Sequence, residues 1–223
     1  MYYSKIIIAG DSWGVGEWDR SPDRVTHIIN HQGLEQYFKD TGYNVINLSK
    51  GGYSNSQSIA PLPKESDSVI IWIQTDPLRD LRPYDGFKEK FQSYQTLLDL
   101  QKELLTTTYS ILNKLGKIYC IGGCSKLDLD LIKEFENLIP IIPSVPEFLL
   151  PNYIHPKIWF SDWYELVDRQ FDIDSIDKLL YNKKIQDSLA DSWEYFQPDG
   201  KHPNRHGHKK IFEYLNENIF RQP

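Results

Sequence analysis

Two uninterrupted apolar runs, Ile6 to Ala9 and Val69 to Ile73, constrain the fold of this chain more than any other feature of its sequence. A strand with one wet face alternates apolar and polar residues, whereas a run without alternation is buried on both faces, as in a parallel sheet covered by helices. Val45 to Leu48, Lys117 to Ile121 and Ile139 to Ile142 read as further strands, and Pro140 confines the last to an edge because proline has no N–H for a ladder. Helical spacing fills the intervals. Gly33 to Lys39 carries Leu34, Tyr37 and Phe38 and stops at Gly42. Phe87, Phe91, Tyr94, Leu98, Leu105, Tyr109 and Leu112 predict a long helix capped at Asp85 and ended before Gly116. Leu127 to Leu138 predicts a short helix, and Gly207 to Phe220 a closing amphipathic one. Strands alternating with helices predict βαβ units and a three-layer α/β/α fold with a mostly parallel sheet.

A length of 223 residues predicts one domain, 1–223, with a core large enough to stand alone. From about 143 to 196 the pattern turns irregular, with Pro143, Pro146, Pro151 and Pro156 among the aromatics Trp159, Phe160, Trp163, Tyr164 and Trp193. This segment reads as an insertion whose rings are mostly core, with at least one left to line a pocket. A net charge of −6, from 25 Lys+Arg and 31 Asp+Glu, with no basic block, argues against nucleic acid as a partner. No apolar run is long enough to cross a membrane. The first residues pass straight into a strand with no cleavable leader, so a cytoplasmic location is expected. Cys120 and Cys124 in CIGGC have neither redox nor zinc spacing and read as plain buried thiols.

The chemistry sits at the two ends of the chain. Gly10-Asp11-Ser12-Trp13-Gly14 places a serine directly after the first strand, at the carboxyl edge where open α/β sheets collect ligands. The same residues satisfy the G-x-S-x-G nucleophile elbow of α/β-hydrolases, but that fold needs several strands and an oxyanion loop before the serine, and only nine residues precede Gly10. Near the other end, DGKHPN supplies Asp199 and His202 three residues apart, a spacing that lets one imidazole nitrogen face a carboxylate and the other a hydroxyl. Ser12 alone is an ordinary turn or cap residue; with Asp199 and His202 it reads as a nucleophile.

With both pieces in place, the chain resembles the SGNH (GDSL-like) hydrolases, whose first block is GDS after strand one and whose last is D-x-x-H before a C-terminal helix. Asn47-Leu48-Ser49-Lys50-Gly51-Gly52 is similar to the family's glycine block and places its glycine on Gly52. Ile73-Gln74-Thr75-Asp76 departs from G-x-N-D, with Thr75 in the asparagine position, so the Thr75 hydroxyl, the Gln74 amide and Asn55 are the candidates for the side-chain oxyanion donor. The resemblance implies a flavodoxin-like sandwich on a five-stranded parallel sheet. It also implies esterase, lipase, thioesterase or carbohydrate-deacetylase activity without metal or cofactor.

The expected mechanism is metal-independent hydrolysis of carboxylic esters. His202 takes the Ser12 proton as it attacks, Asp199 holds the imidazole, and the N–H groups of Ser12 and Gly52 receive the oxyanion. Short acyl groups on a small polar or carbohydrate substrate are the expected class. The alternative is a binding or structural module with weakened catalysis, motivated by Thr75. His202, His206 and His208 invite a metal reading, which Pro203 and the better role of His202 argue against; no metal is expected. Asp11 is assigned to ordering its own turn, and Asp76, Arg79, Asp80 and Arg82 to a salt-linked surface loop, with Arg79 free to meet an anionic substrate.

Overall fold

The computed structural model describes residues 5–20, 27–64, 67–81, 93–159, 172–197 and 202–220. Its strands are β1 (Lys5–Ala9), β2 (Glu17–Arg20), β3 (His27–His31), β4 (Asn44–Asn47), β5 (Val69–Gln74), β6 (Ile118–Gly122) and β7 (Leu138–Ile142). Five of them form one sheet in the order β4-β1-β5-β6-β7, every neighbouring pair parallel. The uninterrupted apolar runs explain this arrangement. Ile6, Ile8, Ile71, Ile73 and Ile121 project into one core, and Ile7, Ala9, Ile70, Trp72, Ile118 and Cys120 into another. β1, β5 and β6 are therefore covered on both faces, as a run without alternation requires.

The helices are α1 (Ser12–Val15), α2 (Leu34–Asp40), α3 (Asn55–Ile59), α4 (Tyr94–Asn113), α5 (Leu129–Ile132), α6 (Val145–Leu149), α7 (Ile173–Asp187) and α8 (Arg205–Leu215). Leu34 and Phe38 of α2 meet Ile211, Phe212 and Leu215 of α8 on one face. Ile59 of α3, Leu105, Tyr109 and Leu112 of α4, and Leu131 and Ile132 of α5 cover the other. The expected three-layer α/β/α fold is what forms. No described helix is long and apolar enough to cross a membrane.

Several elements differ from the sequence reading. The long helix is capped by Ser93, whose side chain accepts from the Thr96 N–H; Asp85, Phe87 and Phe91 lie outside the described residues. The segment Leu127 to Leu138 is helical only at Leu129–Ile132, because Leu138 opens β7 and the following isoleucines pair along β6. β-branched side chains fit that pleated edge better than a helix turn. Residues 143–196 are not uniformly irregular: α6 and α7 lie within them, Pro146 sits in the first turn of α6 where its missing N–H costs nothing, and Leu179 of α7 packs with Leu97 of α4. Trp159 and Phe196 are core, whereas Trp193 is 68% exposed. Phe160, Trp163 and Tyr164 lie outside the described residues. The antiparallel β2–β3 hairpin has no counterpart in the sequence reading. Its apolar pair Ile28 and Ile29 is exposed, so it leaves none of the burial periodicity that reveals a strand. Both cysteines are free and buried, and burial pushes each thiol well above its ordinary range.

Candidate active site

β1 has β4 on one side and β5 on the other, so the chain reverses its direction of sheet growth at β1, and the crevice between the carboxyl ends of β1 and β5 is the switch point where such sheets bind ligands. Gly10 ends β1 in close contact with β5: a Cβ there would stand 2.9 Å from that of Ile73. Asp11 then caps α1, its Oδ1 accepting from the Trp13 N–H at 3.0 Å. Ser12 is the first residue of that helix, so its own N–H has no intrahelical partner and is one of the free donors at the start of the turn. Ser12 is 8% exposed.

Ser12 Oγ lies 2.8 Å from His202 Nε2, a contact between residues 190 apart in sequence. The histidine is delivered by the loop before α8. Its carbonyl accepts from the Gln197 N–H at 2.8 Å, and Phe196 bridges Pro203. Asn204 closes the loop: its Oδ1 accepts from the N–H groups of His206 and Gly207, while its Nδ2 donates to the carbonyls of Trp193 and Glu194. Trp18 stands edge-on to the His202 ring at a centroid distance of 4.6 Å, and Trp13 lies at 6.2 Å. Asp199, the sequence-predicted third member, lies outside the described residues.

Asp11 does more than order its turn. Its carboxylate is fully buried, and Oδ2 accepts from the Thr75 hydroxyl at 2.5 Å and from Arg79 Nη1 at 2.7 Å. Charge-assisted bonds of that length anchor the Ser12 turn to the end of β5. The expected surface loop after β5 is therefore a correction: Asp76 is buried, Arg79 is turned inward onto Asp11, and Asp80 accepts from the Ser56 N–H and hydroxyl. A buried carboxylate next to Ser12 needs a cation, and Arg79 supplies it. Arg82 lies outside the described residues.

The side-chain oxyanion candidates are each engaged in hydrogen bonds of their own. A threonine hydroxyl has one proton, and that of Thr75 is committed to Asp11. Gln74 donates to Ser125 Oγ and to the Lys126 carbonyl, which uses both amide protons, and accepts from the Tyr109 hydroxyl. Neither side chain has a donor left. Asn55 pairs with the Thr75 backbone, Oδ1 accepting at 2.9 Å and Nδ2 donating at 3.3 Å, which engages one of its two amide protons. Gly52 takes φ +78 in the Lys50–Tyr53 turn, and that turn is held to β1 by the Lys50 N–H donating to the Gly10 carbonyl. The fixed geometry predicts a cost for Thr75→Val: with shape kept and the bond to a buried carboxylate lost, urea melts should show about 2 kcal/mol of destabilisation, and an unchanged midpoint would mean the bond is not made.

The three histidines of the last block part company. His202 meets Ser12, His206 is exposed, and His208 is fully buried against Gly33, where a Cβ would stand 2.9 Å from its ring. Among the described residues no group of three or more His, Cys, Asp or Glu side chains is placed to hold a metal ion. Sequence reasoning passed over two further features of the site. Trp18 lies in the hairpin with no motif around it, and Glu17 pairs with Arg205 across 188 residues, Nε donating to Oε2 at 2.9 Å and Nη2 to Oε1 at 3.0 Å. No local pattern announces such a pair.

No protein-family model and no curated protein matches this chain. Among solved structures, it is similar to a Bacillus subtilis protein at 13% identity and a TM-score of 0.43, with 99% of this chain and 57% of that chain covered. The chain thus spans little more than half the length of that protein. A member of the lipolytic G-D-S-L family from Veillonella parvula matches at 15% identity and a TM-score of 0.42, covering 98% of this chain and 99% of that one. A psychrotrophic esterase from a Pseudoalteromonas species matches at 13% identity and a TM-score of 0.41, covering 97% and 96% respectively. Likenesses this distant carry no argument about the chemistry of the chain.

Proposed function

We propose that this chain is a metal-independent serine esterase of the SGNH type, with Ser12 as nucleophile, His202 as general base and Asp199 as the carboxylate that orients the imidazole. The observation that carries the reading is the 2.8 Å approach of Ser12 Oγ to His202 Nε2 at the switch point of a parallel sheet. A hydroxyl at that distance from an imidazole can lose its proton as it attacks a carbonyl carbon. The hydroxyl oxygen bonds to that carbon, the proton passes to Nε2, and the negative charge moves to the former carbonyl oxygen. Collapse expels the alcohol, which takes the proton back from His202, and water repeats the sequence to release the acid. The backbone N–H groups of Ser12 and Gly52 receive the oxyanion, with the remaining Asn55 amide proton as the side-chain donor; each is worth about 3 to 4 kcal/mol in the transition state. A nucleophile only 8% exposed suits a short acyl group on a small polar or carbohydrate alcohol.

A weaker second reading, a binding module on the same fold, rests on the commitment of Thr75 to Asp11. Incubation with a fluorophosphonate separates the two. A covalent adduct mapped to Ser12 by mass spectrometry, together with turnover of p-nitrophenyl acetate in the presence of chelator, is the expected result. An unlabelled serine and no turnover would remove the enzyme reading.

A further inference from the structure

The proposed general base has an aromatic wall beside it that belongs to neither end motif: Trp18 stands against the His202 ring. Histidine χ2 is a broad, nearly two-fold torsion, so packing against the ring, as well as its hydrogen bonds, decides which way the imidazole faces. Gly16, at φ +122, swings the chain out of the Ser12 helix and into β2, which carries Trp18 back over the His202 ring at 4.6 Å with an interplanar angle of 61°. Trp18 is 8% exposed although its strand belongs to a hairpin outside the main sheet.

Two ties keep that indole in register with the imidazole. Glu17, its neighbour on β2, accepts from the Arg205 backbone N–H at 2.7 Å and from Nε and Nη2 of its guanidinium, three residues beyond His202. Those bonds hold the Glu17 carboxyl below its ordinary range. Gln197 supplies the second tie. With its amide nitrogen turned toward the Trp18 carbonyl, it serves both backbone groups of Trp18, and its own N–H donates to the His202 carbonyl.

We infer that Trp18 is a positioning residue for the general base: its indole confines the His202 ring to the orientation in which Nε2 faces Ser12, and the Glu17–Arg205 pair fixes the indole. The inference rests on the reading of Ser12 and His202 as nucleophile and base. Misplacing a reacting group by about 1 Å costs on the order of 100-fold in rate.

The test uses the full chain with p-nitrophenyl acetate for turnover and a fluorophosphonate for the serine alone. Trp18→Ala should lower kcat by about 10- to 100-fold, leave KM within about threefold, and slow phosphonylation by the same factor as kcat, since the probe needs the serine–histidine pair but little substrate binding. Trp18→Phe, which restores an aromatic wall, should recover most of the rate. Glu17→Gln removes the charge from the tie on the surface side and should give an intermediate loss of kcat, which keeps the test decisive if Trp18→Ala does not fold. Variants that match the wild type in kcat and labelling overturn the inference while leaving the esterase reading intact. A change confined to KM overturns it too, by making Trp18 a substrate contact. A wild-type protein silent to both probes overturns the esterase reading, and the inference falls with it.

Discussion

Replacing Ser12 or His202 with alanine is expected to lower kcat for p-nitrophenyl acetate by on the order of 10⁴-fold or more, with the double variant hardly slower than either single one. In the proposed mechanism nucleophile and base act as one unit, so removing the second member after the first takes away nothing that still operates. The loss should appear in kcat with KM nearly unchanged, because the proton transfer from Ser12 to His202 occurs only on the way to the transition state. Asp199→Asn extends the test to the carboxylate, with an expected loss of about 10⁴-fold from an imidazole held in the wrong tautomer. Additive losses in the double variant, or an Asp199→Asn protein with wild-type kcat, would contradict the assigned roles.

The second large effect is on stability in acid. His155 is buried with Nδ1 on the Pro156 carbonyl, and His208 is buried under Gly33; burial pushes each imidazole from an ordinary 6.5 down to about 4. The unfolded chain takes up a proton on each as pH falls through 6.5, whereas the folded chain holds both neutral until about 4. Protons bound by the unfolded state exceed those of the native state across that interval, so stability is complete above 6.5 and falls as pH drops toward 4. Each site contributes about 3 kcal/mol, the two together on the order of 6, against a total of about 5 to 15 for a domain. Glu17 acts lower down: its carboxyl is held below 4.5 by Arg205, so its contribution is lost only as pH falls below that value. Urea melts between pH 7.5 and 4 should show the steep loss, and His208→Leu should flatten roughly half of it. A slope left unchanged by that substitution would place the acid sensitivity elsewhere.

How much of this was legible in the sequence depended on how far apart the cooperating residues lie. The buried strands were readable because a run such as Val69 to Ile73 declares two covered faces by itself, and Gly10 to Gly14 and Asp199 to His202 are each short motifs. The order of the sheet follows from no local pattern, and neither does the contact of Trp18 with His202 or of Glu17 with Arg205. Thr75 was read as an odd residue in a donor position. Its commitment to Asp11, together with that of Arg79, became visible only when the ends of β1 and β5 stood side by side. The hairpin escaped notice because its apolar residues Ile28 and Ile29 are spent on solvent rather than core.

Contacts that join the N-terminal part of the chain to its C-terminal part have a kinetic side. Ser12 meets His202 across 190 positions, Glu17 meets Arg205 across 188, and Tyr37 donates to the Arg205 carbonyl across 168. Closures of that span come with a large loss of chain entropy and rank among the slowest steps in forming a domain. During synthesis the serine emerges early, yet it has no base until α8 leaves the ribosome and docks beside α2. On the proposed esterase reading, an unfinished chain would lack the base for its serine, and the appearance of turnover during refolding would time the final closure of the molecule.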